Sequence, residues 1–336
     1  MFCKFINALA LGLLLLQAQS AAAAVTLKIA TLSPDGSFWM QKMHAGAQAV
    51  EKLTDGRVVF KFYPGGAMGD DATVLRKIRL HQLQGAAVTS SALRTVYPDI
   101  QLYNQVLLFQ NDKEVDYVRQ KMDGELMQGL EQQGLVALGF ADVGFAYLMS
   151  TVPITTLADM HSQKAWVPDE NPIALGAFKA FDLSPIPLPL RDVLMGLQTG
   201  MINVVAGSPV GALALQWHSK VKYVTDLPML YLFGALVVDK SAFEQISGED
   251  QKIVRETMAA VISEIDRRGR QDNQDAIQAL RNQGIEFIKP DPNAAAEFTR
   301  KILDSSADFE REAGFSSEKV ARIREYLGAL RSQTQP

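Results

Sequence analysis

Val25-Thr26-Leu27-Lys28-Ile29-Ala30 sets apolar side chains at alternate positions and opens residues 25–89, the stretch from which the architecture follows. Ser33-Pro34-Asp35-Gly36 is turn chemistry. Phe38–Leu53 then has helical periodicity, and Thr54-Asp55-Gly56 ends it with a glycine past the last turn. Residues 57–63, RVVFKFY, form a β-branched and aromatic strand closed by Pro64-Gly65-Gly66. Residues 70–80 are helical again, and 86–89 make a short buried strand. This strand–helix alternation with apolar strands predicts an α/β fold on a parallel sheet covered by helices.

Upstream, residues 1–24 read as a secretory signal, with Lys4 in a short charged start, an apolar run over 8–16 and small residues at 21–24. That run falls short of the roughly 20 residues a spanning helix needs. Cys3 precedes it, so no lipid-bearing cysteine stands at the cleavage point, and the expected product is an exported, periplasmic chain starting near Val25. Downstream, strands alternate with helices from 135 to 205, over 136–140, 164–167, 172–180, 191–198 and 203–206. A long amphipathic helix over 251–282 begins near the Ser247-x-x-Asp250 cap signal, a late strand falls at 284–289, and 294–330 is mostly helical. Two α/β lobes with a ligand between them fit this order, because such sheets place sites at the carboxyl ends of their strands.

Composition narrows the function. Loss of the signal leaves roughly 312 of the 336 residues, enough for two cores, and removes the one cysteine, which excludes a disulfide scaffold. The formal charge of −4 becomes about −5 without Lys4, and mixed charges along the chain argue against nucleic acid as partner. The four histidines (His44, His81, His161, His218) are scattered without i,i+3 or i,i+4 pairing, so no metal or other cofactor is assigned. Gly65-Gly66-x-x-Gly69 lacks the Lys-Ser/Thr of a phosphate loop and reads as a turn.

Leu53-Thr54-Asp55-Gly56-Arg57 and Tyr63-Pro64-Gly65-Gly66-Ala67-Met68-Gly69-Asp70 resemble the "TGGR…(Y/F)PGGQLG(D/E)" signature of the DctP-type substrate-binding proteins of TRAP transporters. Asp159-x-x-x-x-Lys164-x-x-Val167-Pro168 is similar to the family's "DLKGLKIRVP", and Gly196-Leu197-Gln198-Thr199-Gly200 to its "ALQTGVVDG". The resemblance runs from Leu27 to about Leu330. It implies a two-lobed periplasmic binding protein of type II-like form, with hinge strands and a long helix spanning both lobes. Such a receptor hands a small-molecule ligand to membrane permease subunits and does no chemistry. On this pattern lobe I takes 25–148 plus about 234–275, lobe II takes 149–233 plus about 276–325, and 326–336 is a C-terminal tail.

The departures from the family bear on the ligand. In its usual members the arginine of "KIRVP" pairs bidentately with a substrate carboxylate; Trp166 holds that place here. A second family arginine, in "GFRxxxTN", falls on Ala146, and the "DGxENP" stretch is replaced by Asn203-Val204-Val205-Ala206-Gly207-Ser208. An unpaired carboxylate in a closed cleft costs several kcal/mol, so a neutral, aromatic or hydrophobic ligand is expected. The indole of Trp166 offers a stacking face and one N–H donor, or else packs the cleft as a plug. Phe38-Trp39, opening the first helix, is read as cleft-facing or as a helix anchor; Ser90 and Ser91, after a short strand, as ligand donors or caps. Tyr231 and Phe233, where the chain returns to the first lobe, complete the expected lining with Gly207 and Ser208. Arg94, Arg191 and Lys179 are the cations from which a displaced clamp would come. A sensory receptor remains open as an alternative. A hydrolase is the weaker rival, because Gly207-Ser208-Pro209-Val210-Gly211 sets its serine one place too early for a nucleophile elbow. No catalytic residue is assigned.

Overall fold

A computed structural model describes residues 24–168 and 172–334, so the expected signal lies outside the described residues apart from Ala24. The opening stretch becomes β1 (Val25–Thr31), α1 (Phe38–Leu53), β2 (Val58–Tyr63), α2 (Asp71–Arg79) and β3 (Gly85–Thr89). Ser37 and Asp70 cap the two helices, accepting from the amides of Met40 and Thr73. Single-turn helices aside, the chain continues through α3 (Asp112–Gln132), β4 (Leu135–Ser150), β5 (Trp166–Pro168), α4 (Pro172–Ala180), β6 (Ile186–Leu188), α5 (Val193–Thr199), β7 (Val204–Gly207) and α6 (Pro209–Ala214). It ends with β8 (Tyr223–Asp239), α7 (Gly248–Asn282), β9 (Glu286–Ile288), α8 (Pro292–Ala313) and α9 (Ser317–Thr334). Gly65, Gly66 and Gly69 have φ of 63°, 74° and 104°, as the turn reading requires.

The main sheet is mixed, which corrects the parallel reading. β2, β1 and β3 are parallel, but β8 lies antiparallel to β3, β4 antiparallel to β8, and β7 antiparallel to β4. With β9 on β8, the order β2-β1-β3-β8-β4-β7 joins seven strands among the described residues. The strand expected over 136–140 is only the start of β4, because three register shifts, at 137/139, 142/144 and 146/148, break the alternation by which sequence declares a strand.

The fold has two lobes joined by β4 and β8. Near 234–238 β8 borders β3, with β4 at 135–141 on its other side; near 147–150 β4 borders β7, and near 223–225 β8 borders β9. α7 packs against α1 in the first lobe and α6 in the second, and Ser247 caps it as the sequence signal indicated. Separate apolar clusters fill each lobe, one around Leu27, Met43 and Met258, another around Met149, Trp166 and Trp217. The helix expected to about 330 runs on through Thr334, over the residues assigned to a tail. α9 packs on α3 of the first lobe and is fastened there by Lys319–Asp99 (2.8 Å), Arg322–Glu125 (2.6 Å) and Arg331–Glu114 (2.8 Å).

Gly144 holds the middle bulge at φ 95°, where a Cβ would stand 2.5 Å from Asn273 Nδ2, the atom that donates to Val143 O. Gly144→Ala is expected to cost about 1–3 kcal/mol in urea denaturation. An unchanged midpoint would mean that neither the strand conformation nor the Asn273 contact constrains this crossing.

Candidate ligand cavity

A cavity of about 870 Å³ lies between the lobes and continues into the second one. The first-lobe wall comes from the carboxyl ends of β1 and β3, where an α/β sheet offers its binding edge. Leu32 follows β1, and Thr89 caps the single turn after β3 by accepting from Ala92 N. Thr89 also donates from N and Oγ1 to Asp71 (3.1 and 2.8 Å). Burial pushes the Asp71 carboxyl above the usual range, aided by the charge of Asp70 and opposed by the Thr89 hydrogen bonds. Ser90 Oγ donates to Asn104 Oδ1 (2.8 Å), and Asn104 Nδ2 to the Tyr231 carbonyl (2.7 Å), so the polar side of the wall is fixed by its own network. Gln101 lies beside it, with no hydrogen-bond partner for Nε2.

The second-lobe wall is mainly apolar, with Thr155, Thr156, Ser208 and Thr225 as its polar members. Ala146 and Leu148 reach it from β4, Trp166 and Val167 from β5, and Val204 to Gly207 from β7. Trp166 is buried, edge-on to Trp217 at 5.5 Å, and its Nε1 donates to the Leu188 carbonyl at 2.9 Å. The indole is therefore both cavity wall and core of the second lobe, and its one donor is already occupied. The sequence reading of that N–H as a ligand donor is corrected accordingly.

Of the residues singled out from sequence, Ala146, Trp166, Ser90, Ser91, Gly207, Ser208 and Phe233 line the cavity. Phe38, Trp39 and Tyr231 do not. Phe38 and Trp39 pack on the cluster beneath α1, with Lys42 and Arg268 over the Phe38 ring, so they anchor the helix. Tyr231 is buried in the first lobe, its hydroxyl accepting from Arg119 (3.1 Å). Ser208 caps α6, and Gly207 is small because Trp217 approaches it: a Cβ there would meet the ring at 2.8 Å. Of the candidate cations, Arg191 pairs across the cleft mouth with Asp70 (3.4 Å) and Lys179 with Glu312 (3.8 Å), and neither lines the cavity; Arg94 does, with Arg79. Sequence reasoning missed Asp71, Gln101 and Asn104. The first lies one step past a quoted motif, whereas nothing in the local pattern marks the other two.

The model of the DctP family, bacterial extracellular solute-binding protein family 7, matches residues 29–312. The chain belongs to this family. The sialic acid-binding periplasmic protein SiaP of Vibrio cholerae is 20% identical over 294 residues, covering 86% of this chain and 90% of that protein. The C4-dicarboxylate-binding periplasmic protein DctP of Rhodobacter capsulatus is 23% identical over 244 residues, covering 70% and 72%. Among solved structures, the sugar acid binding protein of Advenella mimigardefordensis in complex with galactonate superposes with TM-score 0.84 at 20% identity, covering 91% of this chain and 99% of that one. As a DctP-family protein, the chain is a periplasmic solute-binding protein of TRAP type, a class that binds small molecules and works with membrane permease subunits. Among the described residues no helix is long and apolar enough to cross a membrane.

Proposed function

We propose that the chain is a transport receptor that takes a neutral, aromatic or otherwise apolar small molecule between its lobes and delivers it to the permease. It acts as a carrier rather than an enzyme. Lobe I is assigned 25 to about 145 and about 231–275 together with α9, and lobe II about 146–230 and about 276–313, the boundaries falling where β4 and β8 cross. The observation that carries the ligand reading is Ala146 and Trp166 on the cavity wall, at the places of the family's carboxylate clamp. An acid bound against them loses hydration and gains no partner there, a cost of several kcal/mol. The second reading, an acid held through a displaced arginine, rests on Arg79 and Arg94, the two cations of the lining among the described residues.

Thermal unfolding separates the two. Succinate, malate, fumarate and galactonate are expected to leave the melting temperature unchanged. The compound that co-purifies, identified by mass spectrometry after denaturation, is expected to raise it, because ligand at 100 times its Kd adds about 2.7 kcal/mol. A saturable shift with one of the acids, removed by Arg94→Ala or Arg79→Ala, would establish the second reading instead.

A further inference from the structure

We infer that the ligand is an elongated amphipath, with a polar uncharged end against the first lobe and a hydrocarbon tail inside the second. This inference rests on the neutral-ligand reading above and extends it. The lining is graded: Thr89, Ser90, Gln101 and Asn104 stand with Asp71 and Arg94 on the first-lobe wall, whereas the extension into the second lobe is bounded mainly by Ile154, Met160, Phe178, Phe181, Leu183 and Phe298, with Thr155 and Thr156 beside them. A volume of about 870 Å³ lies near the top of the range of about 300–1,000 Å³ for small-molecule sites, far beyond the needs of a four-carbon acid.

The extension exists because α4 and α8 present alanines to it. Ala177 of α4 and Ala294 and Ala295 of α8 line the space, although elsewhere the two helices meet closely. A Cβ on Gly176 would be 2.7 Å from the Phe309 ring, and Phe181 stacks on Phe298 at 4.9 Å. The gap is therefore set by side-chain size and not by loose helix packing. Its polar neighbours are engaged within the protein: Thr225 Oγ1 donates to the Ile154 carbonyl (2.8 Å), Trp166 Nε1 to Leu188, and Thr155 Oγ1 to Asp159 (3.2 Å), while Thr156 Oγ1 accepts from Asp159 N (3.3 Å). A chamber so lined does not hold water well, and leaving it empty destabilises the lobe. A flexible apolar chain continuous with the cleft removes both problems.

Titration with straight-chain primary alkanamides of roughly four to twelve carbons tests this by calorimetry. Affinity is expected to rise about fourfold per added methylene until the chamber is full. Ala177→Phe and Ala294→Phe, which fill the chamber, are expected to abolish the length dependence while leaving the shortest amide bound as before. Binding that is flat across the series, or length dependence preserved in both variants with wild-type melting, would overturn the tail assignment and leave the neutral-ligand reading standing. Failure of every amide beside clear binding of sugar acids would overturn the neutral-ligand reading itself. If neither variant folds, the wild-type series alone decides, since a flat series rejects the tail.

Discussion

Replacing Trp166 with alanine is expected to lower the unfolding free energy by about 3–5 kcal/mol, the range for an aromatic ring removed from a packed core. The indole is 6% exposed and belongs to the apolar cluster that holds Met149, Val193, Leu197 and Trp217. Its edge contact with Trp217, at 71° between the rings, contributes beyond simple burial. The hydrogen bond to the Leu188 carbonyl joins β5 to its parallel partner β6, so truncation also leaves a carbonyl short of a partner. Trp166→Phe separates the terms: it keeps a ring and loses the donor, and about 1–3 kcal/mol is expected. Because the same ring is cavity wall, ligand is expected to change Trp fluorescence in the wild type. Trp166→Arg is expected to destabilise as well, since Ala146 offers no second arm for a clamp and the guanidinium enters an apolar cluster. A Trp166→Ala protein with an unchanged denaturation midpoint would show that the second lobe closes over the loss at no cost and that the indole is not part of its core.

Trp166 also shows how far sequence carries. Its place in the family motif was legible, and with it the absence of the clamp. Its hydrogen bond was not, because Leu188 lies on a three-residue strand that no alternation announces. The opening βαβαβ unit was legible for the opposite reason, since caps, turn glycines and alternating residues agree at every step from Val25 to Thr89. β4 and β8 were hidden by bulges and by burial on both faces, which erases the period of two. The helical character of 294–330 was legible, but the place of α9 on the first lobe was not, because it is held by ion pairs with Asp99, Glu114 and Glu125, whose partners lie about 200 residues away in sequence. On the cavity wall, several residues at strand ends or on family motifs were found, though not Asp71 beside one of those motifs. Those delivered by the 3₁₀ helix Pro98–Asn104 were not, because their approach to the cleft is purely tertiary.

The second large effect is expected at Arg119, which lies beneath the bulge where β4 crosses between lobes. Its guanidinium pairs with Asp123 and Asp266 (both 3.0 Å) and donates to the Phe140 carbonyl (2.9 Å) and the Tyr231 hydroxyl (3.1 Å). Asp142 stands nearby with its side chain 2% exposed; Arg270 Nε is 3.6 Å away, and neither carboxylate oxygen has a hydrogen bond. Burial, and then the charge of Asp266, push the Asp142 carboxyl up to about 6, and burial likewise raises Asp123 and Asp266. Arg119→Met strands these carboxylates and is expected to cost about 3–5 kcal/mol at pH 7. The sign with pH follows from proton counts. A carboxyl raised in the folded state binds its proton at higher pH than in the unfolded chain, so folding gains stability as pH falls from about 6 toward the ordinary value near 3.8 and loses it as pH rises through 6. Without Arg119 the carboxyls rise further, so the deficit of the variant is expected to shrink between pH 7 and pH 5. Carboxyls held below their usual range, such as Asp250 and Glu114, lose their contribution only at lower pH and leave this window unaffected. Melting of both proteins across pH 5–7 tests the account. A difference that stays constant over that interval would mean the cost of Arg119→Met is lost packing, and that the buried carboxylates under the crossing carry none of it.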